Sequence, residues 1–186
     1  QLGNPNYDGD GGGILNLSTL TLSGCVVSGN FVNGVTGAPL SGGGIYNAGT
    51  LTLTGCTISN NYAHGTNLDF TRGFGGGIYN AGSLTVSTST LSGNTAKKFG
   101  GGLRNHGSTL AILNSTLSGN VAINGAGLLN YATVTVQNST ISGNSASDRG
   151  GGLSNRGTAA VLDSTISGNS ATLRGGGLYN SESTLT

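Results

Sequence analysis

The segment at the start of the chain carries oxygen-bearing side chains at alternate positions. Asn6, Asp8 and Asp10 are spaced two residues apart, and Gly11 occupies the sixth position counted from Asn6. This spacing is typical of the opening of a calcium-binding loop, in which alternate oxygens face the ion. Leu17 occupies the twelfth position, where such loops place a bidentate glutamate. Calcium binding and a simple polar turn therefore stand as alternatives, and the sequence indicates no other cofactor.

The acidic residues are too scattered to form a hydrolytic site. Cleavage of sugar polymers needs two carboxylates, or a carboxylate with a basic residue, on one face of the protein. Apart from the Asp8/Asp10 pair, the carboxylates fall at unrelated positions, namely Asp69, Asp148, Asp163 and Glu182. The sequence has no Ser-His-Asp phrase and no two-histidine metal spacing. We therefore expect a protein that is not an enzyme.

A glycine-rich phrase divides the chain into copies of one unit. Gly-Gly-Gly-(Ile/Leu)-x-Asn starts at Gly11, Gly42, Gly75, Gly100, Gly125 (as Gly-Ala-Gly), Gly150 and Gly175. From Gly75 onward the copies are 25 residues apart. Repetition at such a period indicates a solenoid, in which each coil buries its apolar side chains against its neighbours. Because the repeat runs nearly end to end, we predict a single domain over residues 1–186, with a lead-in segment over residues 1–10.

Within each copy, apolar residues alternate with threonine and serine in short runs. In the copy that begins at Gly42, Leu51 and Leu53 alternate with threonines, and Ile58 lies between Thr57 and Ser59. A period of two residues, interrupted by glycine and asparagine, predicts short half-buried strands separated by tight corners. We predict three strands per copy. Stacked copies then form an all-β parallel β-helix (β-solenoid) of about seven coils, with like residues above like.

Two columns of asparagine mark corners of the coil. The first column is Asn16, Asn47, Asn80, Asn105, Asn130, Asn155 and Asn180, and the second is Asn30, Asn61, Asn94, Asn120, Asn144 and Asn169. A stacked amide can donate to one neighbouring coil and accept from the other. We therefore predict that the asparagines form structural ladders rather than a ligand site.

Cys25 and Cys56 occupy the same place in consecutive copies, so they should stack directly. Later copies have Ser89, Ser115, Ser139 and Ser164 at that place. Neighbouring strands bring Cα atoms close enough for a disulfide, although parallel in-register neighbours do not aim their thiols well at each other. A Cys25–Cys56 disulfide and two small buried thiols are both open alternatives.

The first two complete copies carry insertions at one corner, over residues 31–41 and 62–74. Solenoids accept loops at corners, and such loops often bind ligands. The insertions contain much of the aromatic and large apolar content of the chain: Phe31, Val32, Leu40, Tyr62, Leu68, Phe70 and Phe74. These residues form either a pair of binding loops or a cover over the edge of the coils.

The Gly-Gly-Gly-Ile-Tyr-Asn and Ser-Gly-Asn-x-Ala phrases carry a family resemblance. They resemble the repeats of bacterial right-handed parallel β-helix surface proteins, and are similar to those of polymorphic outer-membrane proteins and autotransporter passengers. The resemblance covers residues 11–186. It implies a right-handed β-helix at the cell surface and does not specify one function, because the same fold supports adhesins, filaments and lyases.

Composition limits the partners. Charged residues make up 7% of the chain and the formal net charge is +1, which predicts no binding of nucleic acid. No apolar run approaches the ~20 residues of a membrane-spanning helix. The chain lacks methionine, begins at Gln1 and stops partway through a copy, as expected either of a processed piece of an exported polypeptide or of an arbitrary expression boundary. We therefore expect an extracellular or cell-surface location.

The favoured hypothesis is a structural or adhesive β-solenoid, either a stalk or a filament subunit that stacks head to tail and contacts a surface glycan or protein. One alternative is an ice-binding protein, because an outward grid runs through Thr57, Thr90, Thr116, Thr140 and Thr165 beside a serine column. A second alternative is a carbohydrate-binding or degenerate polysaccharide-cleaving β-helix.

Overall fold

The computed structural model of the chain describes residues 10–33, 40–64, 73–181 and 183–186. Asn6 and Asp8 of the predicted calcium loop, and Leu68 and Phe70 of the predicted binding loops, lie outside these ranges. Every regular element within them is a β-strand, and none of the described chain forms a helix long and apolar enough to cross a membrane.

The described residues form 26 strands arranged in four parallel sheets. The first sheet contains β1 (Ile14–Asn16), β5 (Ile45–Asn47), β9 (Ile78–Asn80), β13 (Leu103–Asn105), β17 (Leu128–Asn130), β21 (Leu153–Asn155) and β25 (Leu178–Asn180). The second contains β2 (Thr19–Ser23), β6 (Thr50–Thr54), β10 (Ser83–Ser87), β14 (Thr109–Leu113), β18 (Thr133–Gln137), β22 (Thr158–Leu162) and β26 (Thr184–Leu185).

The other two sheets are built from shorter strands. The third contains β3 (Val26–Ser28), β7 (Thr57–Ser59), β11 (Thr90–Ser92), β15 (Thr116–Ser118), β19 (Thr140–Ser142) and β23 (Thr165–Ser167). The fourth contains β4 (Phe31–Val32), β8 (Tyr62–Ala63), β12 (Thr95–Ala96), β16 (Val121–Asn124), β20 (Ser145–Arg149) and β24 (Ser170–Ala171). Each strand pairs with the equivalent strand of the next coil, which is the arrangement of a parallel β-helix of about seven coils.

The prediction of three strands per coil was wrong, because each complete coil has four. The fourth strand is only two residues long in several coils, as at Phe31–Val32 and Tyr62–Ala63. Two residues cannot display a period of two, so the sequence pattern does not distinguish this strand from a corner. The insertions consequently begin after these strands rather than at residues 31 and 62.

The predicted register is confirmed at every apolar column. Ile45 pairs with Ile78, and Ile78 with Leu103, in the first sheet. The side chains of these three residues are completely buried. Burial of a residue of this size contributes about 1.5–3 kcal/mol, so the stacked columns are the main source of stability. A second, smaller cluster beneath the fourth sheet consists mostly of alanines together with Val32 and Leu40.

The triple-glycine corner leaves no room for side chains. A Cβ on Gly101 would lie 2.4 Å from the carbonyl oxygen of Val121, which belongs to the backbone of the same coil. Gly100 has a φ of +67°, a left-handed conformation that glycine adopts without strain. The phrase therefore recurs because each coil must fold tightly against the fourth sheet at this corner.

The corner after the second sheet offers a stabilising substitution. It has positive φ in every complete coil, and Asn114 and Asn138 occupy it at φ 49°. Thr88 occupies it at φ 45°, which is costly for a β-branched residue. We expect Thr88→Asn to raise the free energy of unfolding in urea by about 0.5–1 kcal/mol. Thr90→Asn, in strand β11, is the control and should give no gain; equal gains would contradict this explanation.

Candidate functional site: the glycine-corner groove

The triple-glycine corner folds back on itself and creates a concave surface on the outside of the coil. A Cβ on Gly125 would lie 2.7 Å from the Cβ of Leu129, and one on Gly150 would lie 2.6 Å from that of Ser154. Leu129 and Ser154 point outward from the first sheet, yet each is only 1% exposed. The same corner recurs in each coil, so the concavities align into a groove along the helix axis.

Three columns line this surface, which we call the glycine-corner groove. The near wall is the residue before each triple glycine: Asp10, Ser41, Phe74, Phe99, Asn124, Arg149 and Arg174. The floor is the outward residue of the first sheet: Leu15, Tyr46, Tyr79, Arg104, Leu129, Ser154 and Tyr179. The far wall follows the ladder asparagine: Leu17, Ala48, Ala81, His106, Tyr131, Arg156 and Ser181.

Aromatic rings stack along the groove from the second to the fifth coil. The Tyr46 and Tyr79 rings are parallel, with centroids 5.1 Å apart, and the Tyr79 ring continues to His106 at 6.4 Å. The His106 ring meets Tyr131 edge-on at 5.7 Å. On the near wall, the Phe74 and Phe99 rings stack at 5.6 Å. Because equivalent positions are one strand spacing apart, aromatic residues in neighbouring coils reach stacking distance automatically.

Arg104 lies in the middle of these rings and is 9% exposed. Its guanidinium carbon is 4.1 Å from the Phe74 ring centroid, and 5.3 and 5.4 Å from those of Tyr79 and Tyr131. Its Nε and Nη1 atoms are buried and have no hydrogen-bond partner among the described residues. Burial lowers the pKa of Arg104. Ring faces, rather than a carboxylate, therefore stabilise this buried cation.

The groove opens into a polar cavity of about 260 Å³ at the sixth and seventh coils, lined by Arg149, Arg156, Tyr179 and Ser181. The Nε atom of Arg149 lies 3.1 Å from the Oδ1 atom of Asp148, and this carboxylate raises the pKa of Arg149. Hydrogen bonds from Ser181, and then from Arg174 and Arg149, lower the pKa of the Tyr179 phenol. The cavity therefore concentrates hydrogen-bond donors and positive charge.

The arginines of the described chain are gathered along this groove. All four described arginines line it: Arg104, Arg149, Arg156 and Arg174. Lys98 adjoins the near wall, with its Nζ atom 4.9 Å from the Phe99 ring centroid. The formal net charge of +1 therefore conceals a basic stripe on one side of the coil.

The other end of the groove is formed by Asp10, which is buried against the second coil. Its Oδ1 atom accepts a hydrogen bond from the backbone N–H of Ser41 at 2.9 Å. Burial raises the pKa of the carboxyl to about 7, a shift that the Ser41 hydrogen bond opposes. Among the described residues, no three His, Cys, Asp or Glu side chains lie together as a metal site. Calcium binding by Asn6, Asp8 and Asp10 stays a prediction.

Asp10 should make stability depend on pH. Its pKa of about 7 lies above the ordinary value of 3.8, so the folded state prefers the protonated carboxyl. That stabilisation is complete below about pH 4 and is lost as the pH rises through 7. We expect the free energy of unfolding to fall by about 1–2 kcal/mol between pH 5 and pH 8, a value reduced for solvent screening.

Asp10→Asn tests this assignment by removing the titrating group. Urea titrations at pH 5 and pH 8 would measure the free energy of unfolding of this variant. The fall of about 1–2 kcal/mol between these pH values that we expect for the parent should be absent. Asp163→Asn is the control, because Asp163 is exposed and its φ of +47° suits asparagine. If Asp10→Asn retained the full pH dependence of the parent, a different group would be responsible.

Both asparagine ladders are confirmed. In the first, each Nδ2 donates to the Oδ1 of the next coil, at 2.7 Å from Asn16 to Asn47 and 2.8 Å from Asn155 to Asn180. In the second, each Oδ1 accepts both the backbone N–H and the Nδ2 of the preceding asparagine, as Asn94 does from Asn61. The ladders are structural, because their central amides are fully buried and satisfied.

Cys25 and Cys56 are free thiols in the structure. They occupy the predicted column, in which the backbone N–H of Cys56 donates to the Oγ of Ser89 at 2.9 Å. The Sγ of Cys56 donates to the carbonyl oxygen of Leu22 at 3.3 Å. The column therefore satisfies corner backbone groups.

The residues predicted as binding loops separate into different environments. Val32 and Leu40 are 5% and 1% exposed and belong to the second core cluster, so they are not available to a ligand. Tyr62 lies in strand β8, and Phe74 stacks in the groove. Phe31, at 64% exposure, remains open to solvent.

Sequence reasoning missed the groove because its columns hold unlike residues. The aliphatic and asparagine columns repeat one residue type and can be read from the sequence. Tyr79, Arg104 and Leu129 occupy one column but are aromatic, charged and aliphatic, so no repetition marks them. One signal was available: every arginine from Arg104 onward falls at one of the three repeat positions that line the groove.

One comparison with known proteins bears on this repeat. Residues 163–181 match the Chlamydia polymorphic membrane protein repeat, and this span includes Arg174 and Tyr179 of the groove. The partial match and the stacked parallel coils fit a repeat protein of polymorphic membrane protein or autotransporter type. No curated protein and no solved structure matches the chain significantly.

Proposed function

We propose that the chain is a non-catalytic, surface-displayed β-helix whose glycine-corner groove is its contact surface. The repeat match points to an outer-membrane or surface location. The observation that carries the proposal is the groove, because it collects the described arginines and stacked aromatic rings on one side of an otherwise weakly charged coil. Aromatic residues and arginine are the residue types enriched at binding surfaces.

The described carboxylates support a role other than catalysis. Asp10 lies buried immediately before the first triple glycine, Asp148 is paired with Arg149 at the end of the fifth coil, and Asp163 is exposed at a different corner in the sixth coil. A sugar-cleaving site of two carboxylates needs them within about 5–10 Å on one face. These three lie on separate columns of the coil, which favours binding over cleavage.

The threonine column of the ice-binding alternative lies on the third sheet, where Val26 takes the place of threonine in the first coil and the column beside it consists of serines. On the second sheet, Thr85 pairs with Ala111 and Thr135 with Ala160, so that threonine column is also interrupted. We therefore expect no thermal hysteresis in a cooled solution of the protein.

End-to-end association remains part of the proposal. Equivalent strands of successive coils pair in parallel register in all four described sheets. A second copy that continued this register would form an interface that propagates rather than closes.

Labelling of intact cells tests the surface location. Cells that make the protein would be treated with an amine-reactive biotin reagent that does not cross membranes, and biotinylated proteins would then be captured. We expect the chain among the captured proteins, while a cytoplasmic marker from the same cells stays unlabelled. Labelling of the chain only after lysis would overturn the proposal.

A further inference from the structure

We infer that the sixth and seventh coils of the groove bind an acidic polysaccharide, with arginines contacting its carboxylate or sulfate groups and tyrosine rings contacting its sugar faces. This inference rests on the proposed function and names the ligand class of the same surface. Four features of the groove carry it: the cavity, a stacked arginine pair, the buried Arg104 and the spacing of the coils.

The cavity combines donors with open volume. Arg149, Arg156, Tyr179 and Ser181 surround about 260 Å³, close to the lower end of the range for ligand pockets. That volume suits one sugar unit rather than a folded peptide segment. Guanidinium groups present parallel N–H donors that match the two oxygens of a carboxylate or sulfate.

Two of the arginines are stacked at equivalent positions. Arg149 and Arg174 are paired directly across neighbouring coils on the near wall. Like charges opposite each other in a sheet are destabilising. Asp148 contacts Arg149 at 3.1 Å. With Arg156 on the far wall, positive charge is in excess among the described residues here, and an anion would relieve the repulsion.

Arg104 extends the same surface below the cavity. It is nine-tenths buried, and its Nε and Nη1 atoms lack hydrogen-bond partners among the described residues. The Tyr131 ring lies between Arg104 and the cavity residue Arg156. The Arg104 guanidinium carbon is 5.4 Å from the centroid of this ring, and the Arg156 guanidinium carbon is 5.6 Å from it. The basic and aromatic surface is therefore continuous from the third coil to the seventh.

The repeat favours a polymer over a small anion. Neighbouring coils are ~4.8 Å apart, which is close to the length of one sugar unit in an extended chain. Acidic groups on successive units can therefore meet arginines on successive coils, as Arg149 and Arg174 are placed. Tyrosine rings present apolar faces against which the faces of sugar rings pack.

Binding measurements on the full chain test this assignment. Immobilised protein would be exposed to polygalacturonate, which has a carboxylate on every sugar unit, and to dextran sulfate, neutral dextran and a single-stranded DNA oligonucleotide. We expect polygalacturonate or dextran sulfate to bind, neutral dextran not to bind, and the affinity for the acidic polymers to fall as salt is raised. DNA binding as tight as that of the acidic polysaccharides would overturn the choice of ligand class.

A pair of double variants tests the location. Arg149→Gln with Arg174→Gln removes both stacked charges, and we expect affinity to fall by about tenfold or more. Ser28→Glu with Ser167→Glu changes the net charge equally on the third sheet, where both serines are exposed, and should leave affinity within about twofold. Thermal unfolding would verify that both variants fold.

The outcomes separate the two proposals. Unchanged affinity in the arginine variant, or no preference for acidic over neutral polymer, would overturn this inference. Surface display is judged separately by the labelling of intact cells, so the groove assignment can fail while the location stands.

Discussion

Gly101→Ala is expected to lower the free energy of unfolding by about 3 kcal/mol or more. The new Cβ would lie 2.4 Å from the carbonyl oxygen of Val121 and 2.7 Å from that of Ala126. Both are backbone atoms, so relief requires the coil itself to move away from its neighbour. Urea unfolding followed by circular dichroism measures the loss.

Gly143→Ala is the matched control for this substitution. Gly143 has positive φ, at +63°, which Gly101 does not, and the nearest atom to its added Cβ is the Gly119 nitrogen at 4.0 Å. Only backbone strain should result, at about 1 kcal/mol. Equal losses at the two glycines would mean that crowding at Gly101 costs no more than left-handed strain at an open position, which would contradict the crowding explanation.

Asn94→Ala is expected to cost about 3–5 kcal/mol, because it interrupts a ladder in the centre of the coil. The Asn94 Oδ1 accepts from both nitrogens of Asn61 at 3.0 Å. Its Nδ2 donates to the Ile58 carbonyl oxygen at 2.9 Å and to the Asn120 Oδ1 at 3.0 Å. Alanine would leave these buried groups without partners.

Urea titration again measures the effect, with Ser118→Ala as the control. Ser118 points outward from the third sheet and is half-buried, so its truncation should change stability by less than about 0.5 kcal/mol. A loss below 1 kcal/mol for Asn94→Ala would mean that water or a rearranged backbone replaces the ladder bonds.

The columns of like residues explain how much of the fold could be predicted. Ile45, Ile78 and Leu103 recur at fixed places, and a parallel solenoid is the arrangement that brings such places together. The asparagine ladder followed for the same reason. In both cases the same type of residue recurs at one position of the repeat, so the sequence alone shows which residues stack on each other.

The fourth strand and the groove could not be obtained in this way. Tyr62–Ala63 is too short to show alternation of apolar and polar residues. Its alanine belongs to the second core cluster, which consists mostly of alanines and therefore gives only a weak hydrophobic signal in the sequence. The groove depends on how sharply the glycines bend the backbone, which places Phe74 and Arg104 on facing sides of a corner. The spacing of residues along the sequence does not determine how sharply the backbone bends at this corner.

The stacking of equivalent positions is the claim on which the groove and both ladders depend. Nitroxide labels on cysteines introduced at Ser59 and Ser167, and in a second protein at Ser28 and Ser167, would measure it in a Cys25→Ser, Cys56→Ser background. These serines share one column of the third sheet and are separated by four and five coils. Double electron–electron resonance should give mean label separations of ~19 Å for the first pair and ~24 Å for the second, an increase of ~4.8 Å for one added coil. Separations that do not increase by one strand spacing would contradict the stacked register.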